Sequence, residues 1–168
     1  GEIAAIGAGS YFAEMHPSFI ERVVVDYFLI ASPYNLLDQP ALDEDLPLCV
    51  EHNISVVLGA AFASGILATG AHEGAQYRYK NADGVILDKV RAMEDICARH
   101  GVELAAAALQ FPLHHPAVAT VIAGANHPDQ IAANLAQFAA VIPSDLWSEL
   151  KQQGFLRQDA PAPVPTSN

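Results

Sequence analysis

The chain is poor in positive charge: 8 Lys+Arg stand against 19 Asp+Glu in 168 residues, for a formal net charge of -11. Nucleic-acid binders draw much of their affinity from cations set against phosphates, so that class is excluded as the expected function. The same shortage disfavours anionic membrane surfaces. Cysteine is scarce too. Cys49 and Cys97 stand alone and make neither a disulfide framework nor a zinc site. No apolar run approaches the roughly 18 residues of a membrane span. Glu2 is acidic and the run behind it is short, unlike a secretory leader. The expectation is a cytoplasmic protein with buried thiols and neither nucleic acid nor membrane as a partner.

What is present is core-forming: 52% of residues are hydrophobic and 16% charged. The length suits one domain. Strand-like apolar runs cover residues 2–8, 23–31, 54–60 and 118–124. Helical patterns cover residues 13–23 (dented by Pro17), 41–53 with an acidic first turn, 84–101, 103–113, 129–140 and 144–154. In the third of these, Ile86, Val90, Met93, Ile96 and Cys97 share one side, and Gly101 ends it. Ser144 reads as the N-cap of the last. A long loop runs up to about Asp83, and residues 157–168 read as a Pro-rich disordered tail.

Alternating strand and helix predict an α/β fold with a parallel sheet covered by helices. Four strands are half of an eight-stranded βα barrel, which takes about 250 residues. They also suffice for a small doubly wound sheet. The start of the chain hints at the latter: Gly7-x-Gly9 follows a strand, and Asp26 lies on the next one. But Phe12 stands where a dinucleotide fingerprint needs its third glycine, and the strand continues apolar past Asp26. A small Rossmann-like NAD-binding domain is therefore the weaker alternative.

Two histidines, His114 and His115, are adjacent on an extended segment and point opposite ways, so they read as turn or cap residues and not as a chelate. His72, Glu73 and residues 76–80 lie in the long loop, where lids occur; Arg78 and Lys80 are its basic pair.

At "YNLLDQPAL", "GAAFASGIL", "HGVELAAAALQF" and "VIAGANHPDQIAANL" the chain resembles the aldo-keto reductase family. Within it the likeness is to bacterial sugar dehydrogenases of the L-fucose (D-threo-aldose 1-) dehydrogenase type. It runs over residues 3–156 but spans only the second half of the family's fold. The resemblance implies the C-terminal half of a TIM-type (β/α)8 barrel, the last four βα units, with residues 1–156 as the half-barrel. It implies a nicotinamide cofactor, NAD with NADP possible, and a small-molecule carbonyl or sugar substrate. The implied partner is a missing N-terminal half-barrel or a second copy of the chain.

In βα barrels the loops after the last two strands often hold phosphate, helped by a helix N-terminus. Here those loops bring Gly59, Ala60, Ala61, Ser64 and Gly65 on one side, and Gly124, Ala125 and Asn126 on the other. By the family pattern Gln130 and Asn134 face the adenine side, and Ser10 stands near the carboxamide. Departures are visible. Gly59 occupies the place of an aromatic that stacks on nicotinamide in many members. Gly9-Ser10 and Ala31 replace a Ser-Asn pair and a Gln, and Tyr11 is a further candidate to lean over the ring. The family's Tyr, Lys, Asp and His acid–base set belongs to the first half of its barrel and has no matching motif here. The expectation is a cofactor-binding half that is inactive alone, with no catalytic and no metal residues of its own. A non-enzymatic nucleotide-binding or scaffold half-barrel is the alternative.

Overall fold

The computed structural model describes residues 2–10, 16–31 and 34–164, with Ser10 and His16 described by their backbone alone. In chain order it runs β1 (Gly7–Ser10), α1 (His16–Arg22), β2 (Tyr27–Ile30), a 3-10 turn at Pro40–Leu42, α2 (Asp45–Glu51) and β3 (Ser55–Leu58). A second 3-10 turn at Ala63–Gly65 leads to α3 (Ile66–Thr69), the short strands β4 (Gln76–Tyr77) and β5 (Lys80–Asn81), and α4 (Gly84–Arg99). Then come α5 (Leu104–Gln110), a 3-10 turn at Phe111–His114, β6 (Val118–Val121), α6 (Pro128–Ala139) and α7 (Ser144–Gln152).

Four strands form one parallel sheet in the order β1-β2-β3-β6, while β4 and β5 pair as a separate antiparallel hairpin. Sheet order therefore follows chain order. A doubly wound sheet reverses direction at a switch point, and this one does not. Right-handed crossovers taken repeatedly in one direction put every covering helix on the same face. Burial records that asymmetry. Phe28, Ile30, Val56 and Leu58 are wholly buried toward the helices, while Tyr27 and Leu29 on the opposite face keep 37% of their surface exposed. This is the layout of consecutive βα units of a barrel.

The helix layer closes on that buried face. Along α4, Val90, Met93, Ile96 and Cys97 fall at helical spacing and are buried. Asp83 caps the helix by accepting from Ile86 N–H at 2.9 Å, and Gly101 ends it at φ +67°. In α5, Ala106, Ala107 and Ala108 are fully buried, and their small side chains let the helix lie close to its neighbours. Trp147 from α7 packs against Phe111 and edge-on to His114. Each such large side chain contributes roughly 1.5–3 kcal/mol through burial. Burial also pushes the thiols of Cys49 and Cys97 up to about 11, with Asp45 and Glu94 adding to the respective shifts.

Several expectations need correction. The apolar runs at 2–8 and 23–31 overstate the first two strands, because Ile3, Ile6, Val23 and Val24 lie exposed before them. Pro17 does not dent α1; it occupies the first turn, where its missing N–H costs nothing. The stretch 41–53 splits into a 3-10 turn and α2. Ser144 is not the cap of α7: Pro143, with φ -67° and ψ 141°, holds that position and leaves Ser144 inside the helix. The long loop to Asp83 holds α3 and the β4–β5 hairpin. The expected disordered tail is pinned at its start. Arg157 pairs with Asp43 and Asp159, its N–H donates to Gln39 Oε1 at 3.1 Å, and Ala160 is buried. Composition saw the prolines but not the acidic partners across the fold. Residues 165–168 lie outside the described residues.

Candidate functional site

The carboxyl ends of β2, β3 and β6 open onto a cleft of about 660 Å³. Its floor is the segment after β3. Here the backbone turns through the left-handed region repeatedly, at Ala60 (φ 59°), Ala63 (φ 47°), Ser64 (φ 63°) and Gly65 (φ 102°). Only Gly65 does so without steric cost. Non-glycine residues held this way cost of order 1–3 kcal/mol each and gather at functional sites. The turn is held by Ala63 N–H donating to Ala60 O at 3.0 Å and by Gly65 N–H donating to Phe62 O at 2.9 Å. The N–H groups of Ala61 and Phe62 have no acceptor among the described residues. Phe62 lies at φ -87°, ψ 6° and is followed by left-handed Ala63. The two unbonded N–H groups are thus adjacent in the chain and flanked by left-handed Ala60 and Ala63, a backbone setting in which anion-binding concavities form.

The opposite wall comes from the loop after β6. Gly124 and Ile122 line the cleft. Behind them α6 begins with Pro128 at its first position and a reciprocal cap. Gln130 Oε1 accepts from Asn126 N–H at 2.8 Å and from His127 N–H at 3.3 Å, while His127 Nδ1 accepts from Asp129 N–H at 3.3 Å. Asn134 reaches back to Gly124 O at 3.5 Å. The helix itself buries none of its residues.

Of the residues expected from sequence, Ala60, Ala61, Ser64, Gly65 and Gly124 meet around the one cleft. Gly59 does not line it; a Cβ there would make ordinary contacts of 3.6–3.9 Å with Ile30 and Ala31, so sterics do not demand the glycine. Ala125, Asn126, Gln130 and Asn134 lie on the approach from α6, with Gln130 spent on the cap. Ser10 ends β1 beside Ile30; its side chain, and Tyr11, lie outside the described residues. Asp26 precedes β2 and is tied to Ile6 through bonds of 2.7 Å in both directions, which removes it as a ribose ligand. His115 is buried with Nδ1 accepting from Ala117 N–H, and His114 packs on Trp147. Burial lowers the pKa of both rings. His114 ends the 3-10 turn and His115 caps it, as the turn or cap reading expects. Among the described residues no group of acids, histidines and cysteines could hold a metal.

The cleft also contains residues that sequence reading passed over. Asn35 folds its own turn, its Oδ1 accepting from Leu37 N–H at 2.9 Å and Asp38 N–H at 3.1 Å. Asp38, so placed, accepts from Tyr77 Oη at 2.6 Å and from Arg78 at 3.2 Å. Burial first, and then the bond to Asp38, push the Tyr77 phenol up to about 12. Outside the lining of the cleft, half-buried Lys89 donates to Leu37 O at 2.9 Å, and its desolvation lowers its pKa. The Asn at the head of "YNLLD" was the available signal, since Asn bonds its own backbone two or three residues on.

Comparison with known proteins supplies the context. The model of the Aldo/keto reductase family matches residues 1–153. Pyridoxal 4-dehydrogenase of Microbacterium luteolum is 35% identical over 156 residues, covering 93% of this chain and 46% of that protein. D-threo-aldose 1-dehydrogenase of a Pseudomonas species is 35% identical over 153 residues, with 90% and 46% covered. An aldo-keto reductase from Bacillus halodurans, solved in its holo form, superposes with a TM-score of 0.67 at 26% identity, over 96% of this chain and 51% of its own. The chain thus spans about half the length of the relatives it matches.

Proposed function

The chain belongs to the aldo/keto reductase family of oxidoreductases, and from that premise we propose that it is the cofactor-binding C-terminal half of an NAD(P)-dependent dehydrogenase acting on an aldose or another small carbonyl or alcohol. The observation that carries this reading is the left-handed run at Ala63, Ser64 and Gly65 facing Gly124 across the cleft. A pyrophosphate fits such a place: the Ala61 and Phe62 N–H groups have no acceptor among the described residues, and Ala60, Ala61, Ala63, Ser64, Gly65 and Gly124 put only small side chains along that part of the cleft. Asn126, Gln130 and Asn134 would lie toward the adenosine end. When bound, the nicotinamide supplies the hydride acceptor.

The chain's own residues bind and orient. The acid–base group that takes a proton from the alcohol, worth about 10²–10⁴ in rate, is not one of the roles this reading gives them. It would come from an N-terminal half-barrel seated on the exposed face of Tyr27 and Leu29. The substrates in the relatives' names, pyridoxal and D-threo-aldoses, are the first to try. The full-length protein should reduce NAD with L-fucose, D-arabinose or pyridoxal, followed by absorbance of the reduced cofactor. A sample shown by mass to hold only residues 1–168 should not turn over. Turnover at an ordinary enzymic rate by that sample overturns the division of labour.

A further inference from the structure

The β4–β5 hairpin carries a contradiction between its sequence and its shape. Tyr77 pairs with Lys80, so Arg78 and Tyr79 alone form the turn, and both have positive φ, 50° and 61°. That turn class is the domain of Asn-Gly and Gly-Gly, not of two bulky side chains. Strain of this kind persists only where surroundings enforce it. Here they do. On one side Asp38 accepts from both Tyr77 and Arg78, and the Arg78 guanidinium lies 5.2 Å from the centre of the Tyr77 ring. On the other side Tyr79 N–H donates to Ser64 Oγ at 3.2 Å, and Ser64 is itself left-handed. The tip of the hairpin is thus held from both sides, by Asp38 and by Ser64 of the cleft floor.

With Arg78 engaged, one large side chain at the tip, that of Tyr79, has no bond or ring contact among the described residues. Tyr79 is 82% exposed, although it lines the cleft with Ser64 and Gly124. Across the cleft from it, Gly124 carries no side chain and leaves room for a flat ring. We infer that Tyr79 is a stacking platform for a planar heteroaromatic ring of the bound dinucleotide, displayed by a turn whose strain holds the ring over the cleft. This rests on the dinucleotide reading above.

The test is binding, not turnover. Isothermal titration of the full-length protein with NAD and with ADP-ribose is compared for the parent, Tyr79→Phe, Tyr79→Ala and Tyr79→Gly, with melting temperatures alongside. Stacking on a base is sensitive to truncation, so Tyr79→Ala and Tyr79→Gly should weaken NAD about tenfold, and Tyr79→Phe should bind like the parent. Tyr79→Gly relieves the positive φ, so it should hold its melting temperature at the parent's level or above while losing affinity. Equal loss with ADP-ribose assigns the adenine ring; loss with NAD alone assigns the nicotinamide; either supports the platform. Unchanged affinity in the truncations, loss in Tyr79→Phe, or a melting temperature that falls with the affinity overturns it. If the parent binds neither ligand, the dinucleotide reading itself fails.

Discussion

Replacing Gln130 with arginine should convert the cofactor preference of the full-length protein at a measurable cost in stability. NADP differs from NAD by a phosphate on the adenosine ribose. No Lys or Arg occurs anywhere in residues 118–140, so the approach from α6 offers that phosphate no cation. The parent should therefore prefer NAD or accept both nearly alike. One charge-assisted bond from a new guanidinium is worth about 1.5–3 kcal/mol, or roughly 10–150-fold in affinity. Gln130→Arg should shift the NADP to NAD ratio by that factor, most strongly at low salt. The cost follows from what Gln130 does now. Its Oε1 serves the N–H groups of Asn126 and His127, and an arginine has no acceptor to replace it. Losing a helix cap costs about 0.5–2 kcal/mol. Each kcal/mol moves the melting temperature by about 2–4 °C in a domain of roughly 150–250 residues, and by less in a larger one. Dissociation constants for both cofactors, with a thermal melt of each variant, check both halves. A parent that prefers NADP by more than about tenfold refutes the reasoning, because it would require a grip on the phosphate absent from α6. An unchanged ratio in Gln130→Arg would place the adenosine elsewhere.

Gln110→Ala should loosen α6 selectively: the Gln110 amide donates to Gln137 O at 2.8 Å, Ala140 O at 2.9 Å and Phe138 O at 3.3 Å, and α6 buries no residue of its own. The loss of about 1–3 kcal/mol should appear in hydrogen exchange as faster opening of residues 128–140 with α4 and α5 unaffected; uniform acceleration would contradict it. Cys49 and Cys97 should resist a disulfide reagent at pH 8 in the native protein and react at once in denaturant. Both thiols have a folded pKa raised from 9.0 to about 11, so the unfolded chain loses these protons first. Their stabilisation is complete below pH 9.0 and fades as pH rises toward about 11. A Cys49→Ala, Cys97→Ala double variant should show a shallower alkaline decline; an identical decline would assign it to other groups.

The parts of the fold legible in the sequence are those whose burial is local. The stripe on α4 and the glycine that ends it lie within one element, and the structure reproduces them at Gly84–Arg99 and Gly101. The barrel-like order needed more than alternation, since alternation also permits a doubly wound sheet; the separate motifs that resemble the aldo-keto reductases tipped that choice. Strand limits were misjudged where hydrophobicity does not mean burial. Val24 is 87% exposed and Ile3 73%, on the flank where the sheet's order stops. The small-residue loops after β3 and β6 were visible as composition. The hairpin beside them was not, because Arg-Tyr carries no turn signal and its shape is imposed by Asp38 and Ser64 from elsewhere in the chain. The start of the tail was misjudged for the same reason, since its anchor is Asp43 on the far side of α7 in sequence.

The two faces of the sheet have different dependencies. Phe28, Ile30, Val56 and Leu58 belong to the buried cluster that the helices of the same segment complete. The opposite face holds few large side chains, Tyr27 and Leu29 foremost. A cut through a barrel along this seam severs enclosure but leaves the packing of the helical layer intact. Such a segment keeps a filled interior of its own on the helical side of its sheet. It is also a natural unit for gene fusion, because what must be matched between partners is a lumen and two strand edges, not an interior already filled.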